Sequence, residues 1–156
     1  MIEIVAKSSK ETKKAGMALG QILGRESLSD RAFIIALEGD LGSGKTTFIQ
    51  GLAQGLEVKE NILSPTFVIQ KDFSLALKNY KNLYHIDAYR LTNGQELIDI
   101  GINDWLGGKG IVTVIEWADR VKKILPKKRI KIKIDFGKKE NERRIKIKHY
   151  DANLRI

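Results

Sequence analysis

Eight consecutive residues carry the first chemistry. Gly39-Asp40-Leu41-Gly42-Ser43-Gly44-Lys45-Thr46 fits the pattern G-x-x-x-x-G-K-[ST] at every fixed position. Glycines at this spacing let successive backbone amides curl around a phosphate where a Cβ would clash. The helix expected to follow adds free amides and the positive end of its dipole. Lys45 supplies a cation for the β- and γ-phosphates, and the Thr46 hydroxyl suits Mg²⁺. Thr47 is spaced to meet the α-phosphate. The segment therefore reads as a nucleoside triphosphate site. Hydrolysis at such a site also needs an acid at the end of a neighbouring strand to hold the Mg²⁺ shell. Val112-Thr113-Val114-Ile115-Glu116 offers one, with Glu where Asp is usual. Asp87, after Leu83–Ile86, is a second acid in a similar place; it either serves the attacking water or caps a turn. The chain has no Asn-Lys-x-Asp segment to read guanine and no arginine-rich lid between loop and second acid. ATP is the better fit.

These residues need elements to hold them. Phe33–Leu37 is a continuous apolar run, the pattern of a strand buried on both faces, and it leads directly into the glycine loop. The loop feeds a helix from about Lys45 to Leu56. Ile111–Ile115 is a second fully apolar strand, while Thr66–Asp72 and Asn82–Ile86 are two more strand candidates. Met1–Val5 alternates as a short strand. Ser8 and Glu11 form a helix start, with Ala15, Leu19, Ile22 and Leu23 on one stripe and Gly24 as its stop. Gly94–Ile100 reads as a short helix. Past Pro126, isoleucines at 130, 132, 134, 145 and 147 alternate with lysines around a polar turn at Gly137–Glu142, which predicts a hairpin. Buried parallel-type strands with helices between them give an α/β chain, a P-loop NTPase-like three-layer fold with a mixed central sheet and a C-terminal antiparallel hairpin.

Composition narrows the class further. At 156 residues, 42% hydrophobic and 30% charged, the sequence describes one soluble domain over 1–156. Without cysteine there is no disulfide, thiolate metal site or thiol nucleophile, and two histidines cannot build a multi-histidine centre. No apolar run reaches the ~18 residues of a membrane span, so a cytoplasmic protein is expected. The net charge of +9 is uneven. Residues 122–156 hold 14 of the 28 Lys+Arg but 4 of the 19 Asp+Glu, a surplus of ten, and the rest is nearly neutral. Lysines between isoleucines on an edge hairpin read as a solvated face that guards the edge; contact with an acidic partner surface or RNA phosphates is the alternative.

Four segments occur in order: Gly39–Phe48, Ser64-Pro65-Thr66-Phe67, His85-Ile86-Asp87-Ala88-Tyr89-Arg90-Leu91 and Ile115-Glu116-Trp117. Together they resemble the TsaE family, bacterial ATPases of tRNA threonylcarbamoyladenosine biosynthesis, over about residues 1–150. The resemblance implies a cytoplasmic subunit that works with TsaD and TsaB, meets tRNA through that complex, and hydrolyses ATP weakly until the partners activate it. It also implies that Thr46 and Glu116 hold Mg²⁺, that Asp87 serves the hydrolytic water, that Ser64 and Thr66 belong to a switch-like loop, and that the nucleotide pocket borders Ser9. Arg90 is either an in-chain arginine finger or a salt bridge that fixes Asp87. His85 reads as packing or support, and Trp117 as core, cover or partner contact. A nucleotide-gated adaptor and a small-molecule phosphotransferase are the rival readings.

Overall fold

A computed structural model of the chain describes residues 1–26, 32–65 and 67–149. Its elements in order are β1 (Ile2–Ala6), α1 (Ser9–Arg25), β2 (Phe33–Glu38), α2 (Lys45–Gly55), β3 (Gln70–Ser74), β4 (Asn82–Asp87), α3 (Gln95–Asp99), α4 (Ile102–Gly107), β5 (Ile111–Glu116), a 3₁₀ turn (Ala118–Val121), β6 (Ile130–Phe136) and β7 (Arg143–His149). The strands form one seven-stranded sheet in the order β1-β7-β6-β2-β5-β4-β3. β2 pairs in parallel with both β5 and β6, and β5 with β4, while β1, β3 and β7 run antiparallel to their neighbours. The expected α/β fold with a mixed sheet and terminal hairpin is therefore the one observed.

β2 and β5 are mostly apolar because both of their faces are covered, and the buried Thr113 hydroxyl within β5 donates to the Trp105 carbonyl at 2.6 Å. Ile35, Leu37, Val112 and Val114 pack beneath α1 and α2 with Leu19, Leu23, Phe48, Ile49 and Leu52. Ile34, Ala36 and Ile115 pack on the other side with Leu97, Ile102, Val121 and Leu125. β6 and β7 alternate instead because only their isoleucine face is in the core. They are not at the edge, however. β1 pairs with β7 and takes the outer position, so edge protection is not the reason for the hairpin lysines. Those lysines face the side of the sheet opposite to Ile132, Ile134, Ile145 and Ile147, with Lys131 bound to Glu38 and Lys133 to Asp135.

The local signals of α1 hold with small shifts. Ser8 caps the helix by accepting from the Glu11 amide, but the Glu11 carboxylate accepts from the Lys7 amide, one residue earlier than a capping box requires. The helix passes Gly24 and ends at Arg25. β3 begins at Gln70, four residues later than expected, because the Pro65 carbonyl accepts the amides of Val68 and Ile69 and so closes a turn where strand pairing would start. α4 follows α3 after the left-handed Gly101 and was not anticipated.

Reciprocal glycines seat α2, the helix behind the loop. A Cβ at Gly16 of α1 would lie 2.0 Å from the Phe48 carbonyl, and one at Gly51 of α2 would lie 1.9 Å from the Lys13 carbonyl. The two helices thus meet backbone to backbone. Gly51→Ala is expected to destabilise the fold by about 1–3 kcal/mol, whereas Gly107→Ala, with nothing within 4 Å of its Cβ, should leave the melting temperature within a degree or two or raise it. Calorimetry on both variants checks this contrast. Tyr80 offers a second test. It is fully buried against Phe33, and its hydroxyl has no hydrogen-bond partner among the described residues. Burial, helped by Glu26, pushes its phenol up to about 12. A raised folded value makes the native state favour the neutral phenol, so the penalty is absent below about pH 10 and grows as pH rises from there toward 12. Tyr80→Phe should match or exceed the parent in stability at pH 7 and gain on it progressively in alkaline denaturation.

Candidate functional site

The loop Gly39–Gly44 leaves the end of β2 and runs into α2. Gly39, Gly42 and Gly44 have φ of 148°, 76° and 97°, the left-handed region where a side chain is strained. Gly39 is also pressed on β6, since a Cβ there would lie 2.3 Å from the Ile134 carbonyl. Gly44 caps α2 without a side-chain hydrogen bond, which leaves the first amides of the helix available to a ligand. Lys45 is buried and turned back along the loop. Its Nζ donates to the carbonyls of Gly39 and Asp40, each at 2.8 Å, and lies 3.8 Å from the centroid of the Trp117 ring. Burial pushes this ammonium below its ordinary value, while Glu116 and then Asp87 pull it back up.

The two acids arrive together through strand register. β4 and β5 are parallel and end level, with Asp87 directly opposite Glu116. Glu116 is buried and held from two sides: His85 Nε2 lies 2.8 Å from its Oε1, and the Thr46 hydroxyl lies 3.3 and 3.2 Å from its two oxygens. A buried carboxylate needs such partners to remain charged. His85 is itself fully buried, with no partner on Nδ1 among the described residues. Asp87 accepts the Ser64 hydroxyl at 2.8 Å on Oδ2 and the Tyr89 amide at 2.9 Å on Oδ1.

A cavity of about 600 Å³ opens over these groups. It is lined by Gly42, Gly44, Lys45, Thr46 and Thr47 of the loop and helix start, by Ser64, Asp87 and Glu116, and by Leu41, Tyr89 and Trp117. Trp117 is left-handed at φ 57°, a strained state for a bulky residue, and its ring packs 5.1 Å from Tyr89 with the Arg120 guanidinium over both. Ile69 is also left-handed, and its carbonyl accepts the Asp87 amide. Two strained residues thus flank the acids. A smaller recess of about 110 Å³ lies on the other side of the loop, where Ser9 and Thr12 of α1 face Gly44, Thr47, Asn141 and Arg143.

The fold therefore gathers Lys45, Thr46, Thr47, Ser64, Asp87 and Glu116 in one cavity and sets Ser9 beside the loop. Ser43 is buried, while Asp40 contributes its carbonyl and Leu41 is exposed where it lines the cavity. Thr66 lies outside the described residues. Arg90 does not line the cavity. It is exposed, with its guanidinium 4.8 Å from the Phe67 ring, and among the described residues it forms no ion pair with Asp87. Trp117 proves to be cover over Lys45 rather than deep core. Arg120 and Arg143 were not read from the sequence. Arg120 reaches the rings only through the 3₁₀ turn, and Arg143 is 100 residues from the loop it touches.

Thr46 and Glu116 supply the hard oxygen donors that Mg²⁺ takes, one neutral and one charged. Among the described residues no cluster of three His, Asp or Glu could form a cage. A cation here would draw its remaining ligands from phosphate and water, as Mg²⁺ does at nucleotide sites.

Comparison with known proteins identifies the family. The family model described as threonylcarbamoyl adenosine biosynthesis protein TsaE matches residues 6–145. The tRNA threonylcarbamoyladenosine biosynthesis protein TsaE of Treponema pallidum is 37% identical over 130 residues, covering 83% of this chain and 88% of the relative. The protein of the same name from Nostoc is 32% identical over 99% of this chain and 90% of its own length. The crystal structure of Bacillus subtilis YdiB superposes with a TM-score of 0.74 at 28% identity, covering 98% of this chain and 88% of YdiB. With the family's pattern spanning all but the two ends, the chain belongs to the TsaE family of tRNA threonylcarbamoyladenosine biosynthesis.

Proposed function

We propose that the chain is the ATP-hydrolysing subunit of the bacterial tRNA N6-threonylcarbamoyladenosine machinery, working with TsaD- and TsaB-like proteins and meeting tRNA through that complex. The observation that carries this reading is the level ending of β4 and β5, which sets Asp87 beside Glu116 while Thr46 reaches Glu116 from the phosphate-binding loop. Thr46 and Glu116 would hold Mg²⁺, which neutralises charge on the β- and γ-phosphates when bound. Lys45 exchanges the carbonyls of Gly39 and Asp40 for phosphate oxygens. Asp87 orients the attacking water and takes its proton, and Ser64 holds the second oxygen of that carboxylate. Trp117 and Tyr89 line the cavity and exclude bulk water. Arg90, exposed against the Phe67 ring, is the candidate arginine finger.

Weak activity alone fits this arrangement, because Lys45 is engaged by its own loop. Leu41 is exposed where it lines the cavity, and the exposed Leu63, Phe67 and Val68 lie close to Ser64 in sequence; these side chains suit a surface that partners cover. No helix among the described residues is long and apolar enough to cross a membrane.

Phosphate release from ATP should be slow for the purified chain and rise sharply on adding the two partners; vigorous turnover that the partners leave unmoved would overturn the proposal. Asp87→Asn should bind ATP within about threefold of the parent while turnover falls by on the order of 100-fold or more. If that variant sustained many rounds of tRNA modification, hydrolysis would be incidental and the adaptor reading would stand. A phosphorylated organic product in place of free phosphate would favour a phosphotransferase. Thr46→Ala should bind ATP normally in EDTA but lose the tightening that Mg²⁺ gives the parent, a difference measurable by titration calorimetry.

A further inference from the structure

The geometry points to Arg143 as the positioning residue of the phosphate-binding loop, acting through the outward carbonyls of Gly42 and Ser43; this deepens the reading of that loop as an ATP site. Gly42 and Gly44 flank Ser43, and neither has a side chain to restrain its peptide. The Ser43 amide is held inside the loop by the Asp40 carbonyl at 3.1 Å, while the outward carbonyls of Gly42 and Ser43 are held from outside it. Arg143 Nε donates to the Ser43 carbonyl at 3.0 Å, and Nη2 donates to the Gly42 carbonyl at 3.2 Å. The remaining terminal nitrogen, Nη1, donates to the carbonyls of Glu140 and Glu142 at 2.7 and 2.9 Å. The guanidinium plane also rests 4.7 Å from the Phe136 ring centroid. One planar fork therefore ties the loop to the turn of the β6–β7 hairpin.

The contact reaches the ligand side through the peptide itself. In a trans peptide the N–H lies opposite the C=O, so a donor on the Ser43 carbonyl sets the direction of the Gly44 amide. It also polarises that peptide and strengthens the amide as a donor to an anion. The fixed positive charge adds to the attraction for phosphate. Lysine cannot reproduce this, because one ammonium has no rigid fork with which to bridge loop and turn. The next residue supplies a control. Arg144 faces the other side of β7, where it pairs with Glu3 at 3.4 Å.

The test combines amide hydrogen exchange of the ligand-free protein with MgATP titration. In Arg143→Ala, exchange at Ser43, whose amide donates to the Asp40 carbonyl at 3.1 Å, should accelerate and the dissociation constant should rise about tenfold, the loss of roughly one charge-assisted hydrogen bond. Arg143→Lys should recover little of either, and Arg144→Ala should match the parent in both. Unchanged exchange and affinity in Arg143→Ala overturns the proposal. So does full recovery in Arg143→Lys, which would mean that charge alone suffices. If Arg143→Ala fails to fold, the lysine variant alone decides between these outcomes. A parent chain that bound no ATP would defeat the ATP reading, while the exchange comparison would still judge the clamp.

Discussion

A loop that turns its amides toward an anion must turn its carbonyls away from it, and those carbonyls need donors of their own. Much of the site answers this constraint. Arg143 takes the carbonyls of Gly42 and Ser43, and Lys45 takes those of Gly39 and Asp40. Gly39 backs directly onto the Ile134 carbonyl because no Cβ intervenes. The loop is held from the hairpin on one side and from its own lysine on the other. The glycine-to-glycine contact of α1 with α2 fixes the helix that continues it, so the loop's position is inherited from packing in the core.

Opposite the loop, a single buried carboxylate organises the rest. Glu116 is almost wholly buried where it lines the cavity, and the cost of burying a carboxylate there falls as His85 and Thr46 bond to it. The Lys45 ammonium adds a compensating field. These bonds tie β4, β5 and α2 to one another through one side chain. Of the three left-handed non-glycine residues described, Glu57 follows α2 and two lie near this point, Trp117 just after β5 and Ile69 beside Asp87. Both belong to connections rather than to strands, where a change of backbone conformation disturbs the least packing.

Much of this was legible in the residues. The eight-residue loop pattern carries its own mechanism, because only glycine tolerates the required φ values and only a helix start presents the amides. The apolar runs of β2 and β5 could be read because strands covered on both faces have few polar positions. Other parts were not legible. The start of β3 depended on a turn closed by the Pro65 carbonyl. The hairpin looked like an edge because nothing in residues 130–149 says that the first five-residue strand will cover it. Arg90 stood next to an essential-looking acid in sequence, yet the turn after β4 sends it to Phe67.

The sequence by itself determined the phosphate-binding loop and the strand and helix on either side of it. These are local matters of backbone freedom and burial, written within a few residues of one another. Tertiary structure alone decided that Asp87 and Glu116 stand side by side, that His85 supports Glu116, that Trp117 lies over Lys45 and that Arg143 grips a loop 100 residues away. Strand order and register set those distances, and they arise from the packing of the whole sheet, which no short stretch of chain encodes.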